Sequence, residues 1–121
     1  MPKTVLIVDD SATMRRMVAD VLDRAGFTVL EGLNGADALK QLDGRTVQLV
    51  ITDFNMPVMG GVALVKQIRA LPAYRFTPIL MLTTEASDER KGEGRAAGAT
   101  GWVVKPFDPA RLLQVVNRLV P

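Results

Sequence analysis

The chain has neither cysteine nor histidine among its 121 residues. Without cysteine there is no disulfide framework and no thiolate metal site, and without histidine there is no imidazole for acid–base chemistry or for a phosphorelay. Aromatic residues make up only 5% of the chain, which leaves few side chains that could stack on nucleic-acid bases. These absences exclude most enzyme chemistries and make a nucleic-acid partner unexpected.

An apolar leader segment and blocks of like charge are missing as well. The first three residues lead directly into a short apolar run, and the formal net charge of +2 is spread over the whole chain. The length suits one domain, residues 1–121, with a core of its own. We therefore expect a cytoplasmic, monomeric, single-domain protein with neither a nucleic-acid nor a membrane partner.

Five short apolar runs alternate with segments of helical periodicity. The runs have the length of strands and do not alternate with polar residues, which favours burial on both faces; they comprise residues 5–8, 27–30, 47–51, 79–82 and 102–104. In the intervening segments apolar residues recur three and four positions apart, as in Met14, Met17, Val18 and Val21. This alternation predicts an α/β, doubly wound fold in which a five-stranded parallel sheet carries helices on both faces.

Glycines mark the expected ends of three helices. Gly26, Gly44 and Gly98 follow the first, second and fourth helical segments, and glycine readily takes the left-handed conformation that ends many helices. The fourth segment is intrinsically weak, because Gly92 and Gly94 lie in its interior and each costs about 1 kcal/mol relative to alanine. We expect this helix to be mobile, with close packing of the glycines as the alternative explanation.

Polar side chains that could take part in chemistry follow four of the apolar runs. Asp9 and Asp10 follow the first run, Asp53 follows the third, a pair of threonines ends the fourth, and Lys105 follows the fifth. Sites in sheets of this kind form at the carboxyl ends of the strands. We therefore expect three carboxylates, a threonine hydroxyl and an ammonium group to lie together at one edge of the sheet.

This set of groups suits phosphoryl chemistry with a divalent cation. Three neighbouring carboxylates cannot all stay ionised without a counter-charge, and Mg²⁺ takes carboxylate oxygens together with waters and a substrate phosphate. The ammonium group of Lys105 and a threonine hydroxyl could then hold phosphoryl oxygens. One of the carboxylates, attacking as a nucleophile, would form an acyl phosphate.

Four segments of the sequence resemble the response-regulator receiver family. They are VLIVDDS, ITDFNMPVMGG, LTTEA and GWVVKPF, which occur in the family's order, and the resemblance covers essentially the whole chain. The sequence is particularly similar to the family's single-domain chemotaxis members. This resemblance implies a flavodoxin-like fold with five helices and the strand order 2-1-3-4-5.

The resemblance also implies a role for the acidic residues. Asp53 matches the family's phosphoacceptor, which receives a phosphoryl group from the phosphohistidine of a kinase or from a small acyl phosphate. Asp9 and Asp10, with Asp53 and the backbone carbonyl of Asn55, match the ligands of Mg²⁺. Asn55 and Glu85 occupy the two positions at which the family tunes the lifetime of the phosphoryl group.

The resemblance further implies a set of switch residues. Thr83, rather than Thr84, matches the hydroxyl that closes on the phosphoryl group, and Lys105 matches its cationic partner. The Lys105-Pro106 bond matches a cis peptide of the family, and an X-Pro bond can take that form at small cost. Trp102 matches the aromatic switch, which is usually tyrosine or phenylalanine, so this sequence departs from the family in having a larger ring without a phenolic hydroxyl.

The function that the resemblance implies is that of a phosphorylation-activated regulator in a two-component system, with catalysis limited to its own phosphorylation and dephosphorylation. A histidine kinase would donate the phosphoryl group, and since the chain ends at Pro121, directly after the last helix, we expect output by protein contact. The chemotaxis resemblance indicates the flagellar switch protein as the target. A free receiver that drains phosphate from a kinase or serves another pathway is the alternative.

Two functions of other classes remain as alternatives. A Mg²⁺-dependent phosphatase of the haloacid-dehalogenase type also uses a strand-end aspartate, but it needs a second aspartate where this chain has Asn55. A flavodoxin-like cofactor binder shares the fold, but Asp9 and Asp10 would repel the phosphate of its cofactor. Turnover of external phosphate esters would indicate the first alternative, and a yellow purified protein the second.

Overall fold

The computed structural model describes residues 3–84 and 87–120, in which strands and helices alternate along the chain. The strands are β1 (Thr4–Val8), β2 (Thr28–Gly32), β3 (Leu49–Asp53), β4 (Ile79–Thr83) and β5 (Gly101–Val104). The helices are α1 (Ala12–Arg24), α2 (Gly35–Gln41), α3 (Gly61–Arg69), α4 (Asp88–Ala97) and α5 (Pro109–Leu119), with a short 3₁₀ turn at Pro72–Tyr74.

All strand pairs are parallel, and the sheet has the order β2-β1-β3-β4-β5. The predicted α/β fold and strand order are therefore confirmed. In the register of the sheet, Val8 of β1 lies between Gly32 of β2 and Thr52 of β3, while Thr83 of β4 lies beside Val104 of β5. The carboxyl ends of β1, β3, β4 and β5 consequently meet at one edge, where the polar residues that follow them come together.

Two hydrophobic cores lie on opposite faces of the sheet. Alternate residues of β1 supply both of them, with Ile7 in the core beneath α1 and α5 and Leu6 in the core beneath α2, α3 and α4. Leu22 of α1 and Ile68 of α3 are fully buried in these two cores. Burial of such a side chain contributes about 1.5–3 kcal/mol, so the helices hold the sheet from both sides.

The prediction that every strand is buried on both faces holds only for the three central strands. Every residue of β3 and β4 is buried, whereas the edge strands β2 and β5 are partly exposed. An edge strand has a neighbour on one side only, so its apolar residues are covered less completely. Their apolar runs look the same in sequence because composition does not show which strand lies at an edge.

The helix ends follow local sequence signals. Gly26, Gly44 and Gly98 have φ angles of 94°, 107° and 114°, which confirms the left-handed conformation expected after three of the helices. At the amino ends, the side chain of Ser11 accepts a hydrogen bond from the amide of Met14, and similar caps begin α2, α4 and α5. Each such cap stabilises its helix by about 1 kcal/mol.

Within the described residues, the helices are all too short or too polar to span a membrane.

Candidate functional site

The predicted acidic residues lie together at the carboxyl edge of the sheet. Asp9 and Asp10 directly follow β1, and Asp53 is the last residue of β3. One carboxylate oxygen from each of the three lies within 4.8 Å of the others. Asp9 and Asp53 are buried, with 2% and 9% of their surface exposed, while Asp10 is exposed to solvent. Three oxygens with this spacing and hard donor chemistry are able to hold Mg²⁺.

Lys105 provides the positive charge inside this cluster. Its Nζ donates to Oδ1 of Asp53 at 2.9 Å and to Oδ2 of Asp9 at 3.3 Å. The Lys105-Pro106 peptide bond is cis, and the backbone amide of Lys105 donates to the carbonyl of Thr83 at 2.7 Å. The loop after β5 is therefore tied to the end of β4, and its ammonium group lies between two buried carboxylates.

The environment of Asp53 acts on its pKa in both directions. Burial raises the pKa above its ordinary value, the hydrogen bond and charge of Lys105 lower it, and the neighbouring Asp9 raises it again. The net shift is upward. The ionised form of Asp53, which a nucleophilic role requires, therefore depends on the cationic charge held beside it.

Thr83 lies beside the acidic cluster at the end of β4. It is buried, whereas Thr84, which follows the end of the strand, is exposed. Of the two threonines that the sequence offered, Thr83 is the one enclosed in the structure. Thr83 directly follows Leu82, which pairs with Asp53 of β3, so it lies one residue beyond the register position of Asp53.

The loop after β3 approaches Asp53 closely. A Cβ atom at Gly61 would lie 2.5 Å from the carbonyl oxygen of Asp53 and 3.0 Å from Cα of Phe54, so only glycine fits there. The amide of Gly61 donates to the carbonyl of Phe54 at 2.9 Å. Asn55 is exposed in this loop, and Glu85, its predicted partner in lifetime tuning, lies outside the described residues.

Arg15 is a residue of the site that sequence reasoning missed. Its guanidinium group donates to the backbone carbonyl of Asp9 at 2.7 Å and to Oε1 of Glu31 at 3.1 Å. It thereby links the end of β1 to β2 through the first helix. The only sign of it in the sequence was an arginine less than two turns after the acidic pair. Because arginines are common on solvated helix faces, that sign is uninformative alone.

A pair of aromatic rings connects Phe54, the residue after β3, with β5. The rings of Phe54 and Trp102 meet edge to face with centroids 5.8 Å apart and an interplanar angle of 62°. The guanidinium carbon of Arg90 lies 4.8 Å from the centroid of the Phe54 ring. Phe54, which directly follows Asp53, is a second residue whose part in the site the sequence did not indicate.

Comparison with known proteins agrees with this geometry. The family model described as the response regulator receiver domain matches residues 5–117. Chemotaxis protein CheY1 of Helicobacter pylori is 42% identical over 107 residues, which are 87% of this chain and 86% of that protein. Chemotaxis protein CheY-3 of Vibrio cholerae is 41% identical over 116 residues, which are 95% and 89% of the two chains.

Solved structures show the same relationship in three dimensions. The high-resolution structure of the Vibrio cholerae chemotaxis protein CheY4 superimposes with a TM-score of 0.95 and 48% identity, covering 98% of this chain and 99% of that one. A putative response regulator from Chloroflexus aurantiacus superimposes with a TM-score of 0.94 and 36% identity, covering 99% and 98%. Since the family model and these relatives each cover most of its length, this chain belongs to the family of response regulator receiver domains and is of the CheY type.

Proposed function

We propose that the protein is a phosphorylation-activated response regulator that accepts a phosphoryl group on Asp53 from a histidine kinase and acts on the flagellar switch protein in chemotaxis. The observation that carries this proposal is the ammonium group of Lys105 between the carboxylates of Asp53 and Asp9. A buried aspartate held beside a lysine and two further carboxylates has the groups needed for phosphoryl transfer. The chemotaxis assignment is supported by the CheY relatives.

In the proposed reaction, a carboxylate oxygen of Asp53 attacks the phosphorus atom of a kinase phosphohistidine. The new oxygen–phosphorus bond forms as the phosphorus–nitrogen bond breaks, and the imidazole leaves and takes up a proton. Asp9, Asp10 and Asp53, with the backbone carbonyl of Asn55, would hold Mg²⁺, which supplies positive charge to the phosphoryl oxygens. Lys105 orients Asp53 before the reaction and contacts a phosphoryl oxygen after it.

The proposed switch follows from the charge that the phosphoryl group adds. It brings roughly −1.5 to −2 units of charge and three strong acceptors to a buried site. The ammonium group of Lys105 and the hydroxyl of Thr83 satisfy these acceptors, and the loop between β4 and α4 follows Thr83. Trp102 then repacks with α4, which alters the face formed by α4, β5 and α5. A shift of this kind needs only a few kcal/mol of differential stabilisation.

The remaining parts of the proposal concern the working state of the protein. We infer a cytoplasmic, monomeric regulator of one domain, and the single-domain part of this inference is supported by two CheY relatives, of whose length the match covers 86% and 89%. Its catalysis would be limited to its own phosphorylation and dephosphorylation. Asn55 and Glu85 would tune the lifetime of the phosphoryl group.

The test measures binding of the N-terminal peptide of the flagellar switch protein in the presence of Mg²⁺ and beryllofluoride, a mimic of the phosphoryl group. The fluorescence of Trp102, the only tryptophan in the chain, is recorded in the same titration. We expect tighter peptide binding with the mimic, and loss of this effect in Asp53→Asn. A response of Trp102 without tighter peptide binding would contradict the motor target, and no response of either kind would contradict the phosphoryl switch.

A further inference from the structure

Position 94 in α4 is in direct contact with the indole ring of Trp102. A Cβ atom at Gly94 would lie 2.5 Å from Cζ3 of Trp102, 3.2 Å from Cη2, and 3.0 Å from Sδ of Met81. Real Cβ atoms do not approach other atoms so closely, so the ring occupies the space in which a side chain at this position would lie. The absence of a side chain at Gly94 therefore leaves the space that the indole ring occupies.

Gly92, two residues earlier in the same helix, differs completely in its surroundings. No atom lies within 4 Å of a Cβ atom built at Gly92, and the residue is exposed. Both glycines weaken α4 by about 1 kcal/mol relative to alanine, but only Gly94 is needed for packing. The pair therefore separates the effect of helix propensity from the effect of contact with Trp102.

The inward position of the indole is stabilised by contacts and opposed by one polar atom. The ring packs with the core beneath α4 and meets Phe54 edge to face, an arrangement worth about 0.5–1.5 kcal/mol beyond burial. Its Nε1 is buried and has no hydrogen-bond partner within residues 3–84 and 87–120. An unpaired buried donor costs about 1–3 kcal/mol, which offsets part of what burial and ring contact contribute.

This cost makes the inward position more sensitive to small changes in α4. The indole contacts Phe54, the residue that follows Asp53, and the guanidinium group of Arg90 of α4 lies over the Phe54 ring. If α4 moves so that other atoms enter the space beside Gly94, the indole ring no longer fits there. When the ring turns outward, its N–H group regains hydrogen bonds to water, which lowers the free-energy cost of moving the indole out of the inward position.

We propose that Gly94 determines the position of Trp102, because the bare backbone at this point in α4 is what admits the large indole ring to the inward position. This inference rests on the proposed function in taking Trp102 as the switch residue of the receiver. In this chain the larger ring at position 102 and the missing side chain at position 94 form a matched pair. The resting protein consequently holds its aromatic residue inward without a phosphoryl group.

The experiment compares Gly94→Ala with Gly92→Ala, in the full chain without Mg²⁺ and without beryllofluoride. The emission maximum of Trp102 and its quenching by acrylamide are measured in wild type and in both variants. We expect Gly94→Ala to shift the emission to longer wavelength and to raise the quenching constant, since the ring is driven into water. Gly92→Ala should leave both unchanged, and equal behaviour of the two variants would overturn the inference.

A second pair of variants keeps the test decisive if Gly94→Ala folds poorly. Trp102→Phe removes the ring atoms that meet position 94, so adding Gly94→Ala to it should be tolerated. We expect Gly94→Ala to lower the folding equilibrium constant about tenfold more in wild type than in Trp102→Phe, a coupling of about 1.4 kcal/mol. An equal loss in both backgrounds would show that the indole is not the obstacle and would overturn the inference.

The failure of this inference is distinguishable from failure of the proposed function. Both measurements above are made without a phosphoryl mimic, so they depend only on the contact between Gly94 and Trp102. If Trp102 moves outward in Gly94→Ala while wild type ignores beryllofluoride, the inference is supported and the phosphoryl switch is wrong. If wild type responds to beryllofluoride but Gly94→Ala leaves the indole in place, the switch is supported and the inference is overturned.

Discussion

Burial and charge oppose one another at Asp53, the residue on which the proposed reaction depends. Burial raises the pKa of its carboxyl group, Lys105 offsets this effect only in part, and the negative charge of Asp9 raises the pKa further. The ionised carboxylate is therefore less favourable in the folded protein than in the unfolded chain. A group of this kind destabilises the fold at neutral pH, which is a common property of functional sites.

Replacing Asp53 by asparagine should therefore stabilise the protein near pH 7 in the absence of divalent cations. The folded pKa is raised, so the folded state binds more protons than the unfolded chain between the ordinary pKa of 3.8 and the raised value. Wild-type stability consequently falls as the pH rises through this window. We expect the advantage of Asp53→Asn to shrink as the pH is lowered toward about 4, as measured by urea unfolding in EDTA.

Asp43 serves as a control of opposite sign. Hydrogen bonds from the Arg45 side chain and backbone lower the pKa of its exposed carboxyl group to about 2, so ionised Asp43 favours the folded state at neutral pH. Asp43→Asn should bring no gain near pH 7. A gain in both variants would mean that the effect of Asp53→Asn does not come from the buried charge.

Among the described residues, Val58 is the only residue other than glycine that has a positive φ angle. Its φ is 70°, its side chain is fully exposed, and β-branched residues are strained in this region. Val58→Asn should raise the free energy of unfolding by about 1 kcal/mol, because asparagine tolerates this conformation and no packing is lost. Urea unfolding measures this gain, and Val104→Asn, at an exposed strand valine, should show none.

Helix α4 buries only small residues among those of its residues whose burial is described. Ala97 and Gly94 are its buried positions, whereas α1 buries Val18 and Leu22 along with Ala19. The structure supports close packing as the explanation for Gly94 and gives no such reason for Gly92. The expectation that α4 is mobile remains a prediction, namely that this helix unfolds and refolds locally more often than its neighbours.

Hydrogen exchange should therefore be faster in α4 than in α1, with a gradient along the helix. The carboxyl end is held, because the guanidinium group of Arg69 donates twice to the carbonyl of Gly98, at 3.1 and 2.8 Å. The amides of Gly98 and Ala99 both donate to the carbonyl of Gly94. We expect these amides to be the slowest of the segment, and protection equal to that of α1 throughout would contradict the prediction.

For the whole molecule, the acidic cluster couples ion binding to global stability. The three carboxylates come from the ends of two strands that lie in the middle of the sheet, so their spacing exists only in the folded chain. An ion that binds the folded state alone stabilises it by an amount set by its concentration and dissociation constant. The site of function and the stability of the domain are therefore linked.

Adding Mg²⁺ at about 100 times its dissociation constant should raise the free energy of unfolding by about 2.7 kcal/mol. Asp10→Asn should remove most of this gain, because Asp10 is an exposed member of the cluster whose loss does not disturb the cores. Urea unfolding with and without Mg²⁺ gives both values. Sodium chloride at matched ionic strength should give little gain, and an equal gain would indicate general screening instead of a site.

Prediction from sequence succeeded where the cause was local. The strands were identified from apolar runs, and the turns at Gly26, Gly44 and Gly98 from the conformation that glycine permits. Asp53 was expected at the tip of the third strand and is its last residue, but the apolar run at residues 47–51 begins two residues before the strand Leu49–Asp53, which includes the buried polar Thr52 and Asp53. Hydrophobicity alone cannot extend a strand into buried polar residues, whose burial depends on partners elsewhere.

Contacts between distant residues could not be predicted in the same way. Arg15 was missed because its partners, the carbonyl of Asp9 and the carboxylate of Glu31, are set by the pairing of β1 with β2. Gly61 looks like an ordinary residue at a helix start, yet its missing side chain makes room for the carbonyl of Asp53. In both cases part of the constraint comes from a backbone carbonyl group, which leaves no pattern in the sequence of side chains.

The sequence by itself determined the alternation of strands and helices and the placing of polar residues after β1, β3, β4 and β5, because burial of apolar runs and strand order along the chain suffice for both. Only the tertiary structure decided that Lys105 reaches Asp9, 96 residues away, and that Trp102 rests on the backbone of Gly94. The directions of side chains, and the distances between side chains of different elements, are set when all elements pack together. Such distances depend on every neighbour at once, so no local stretch of sequence contains them.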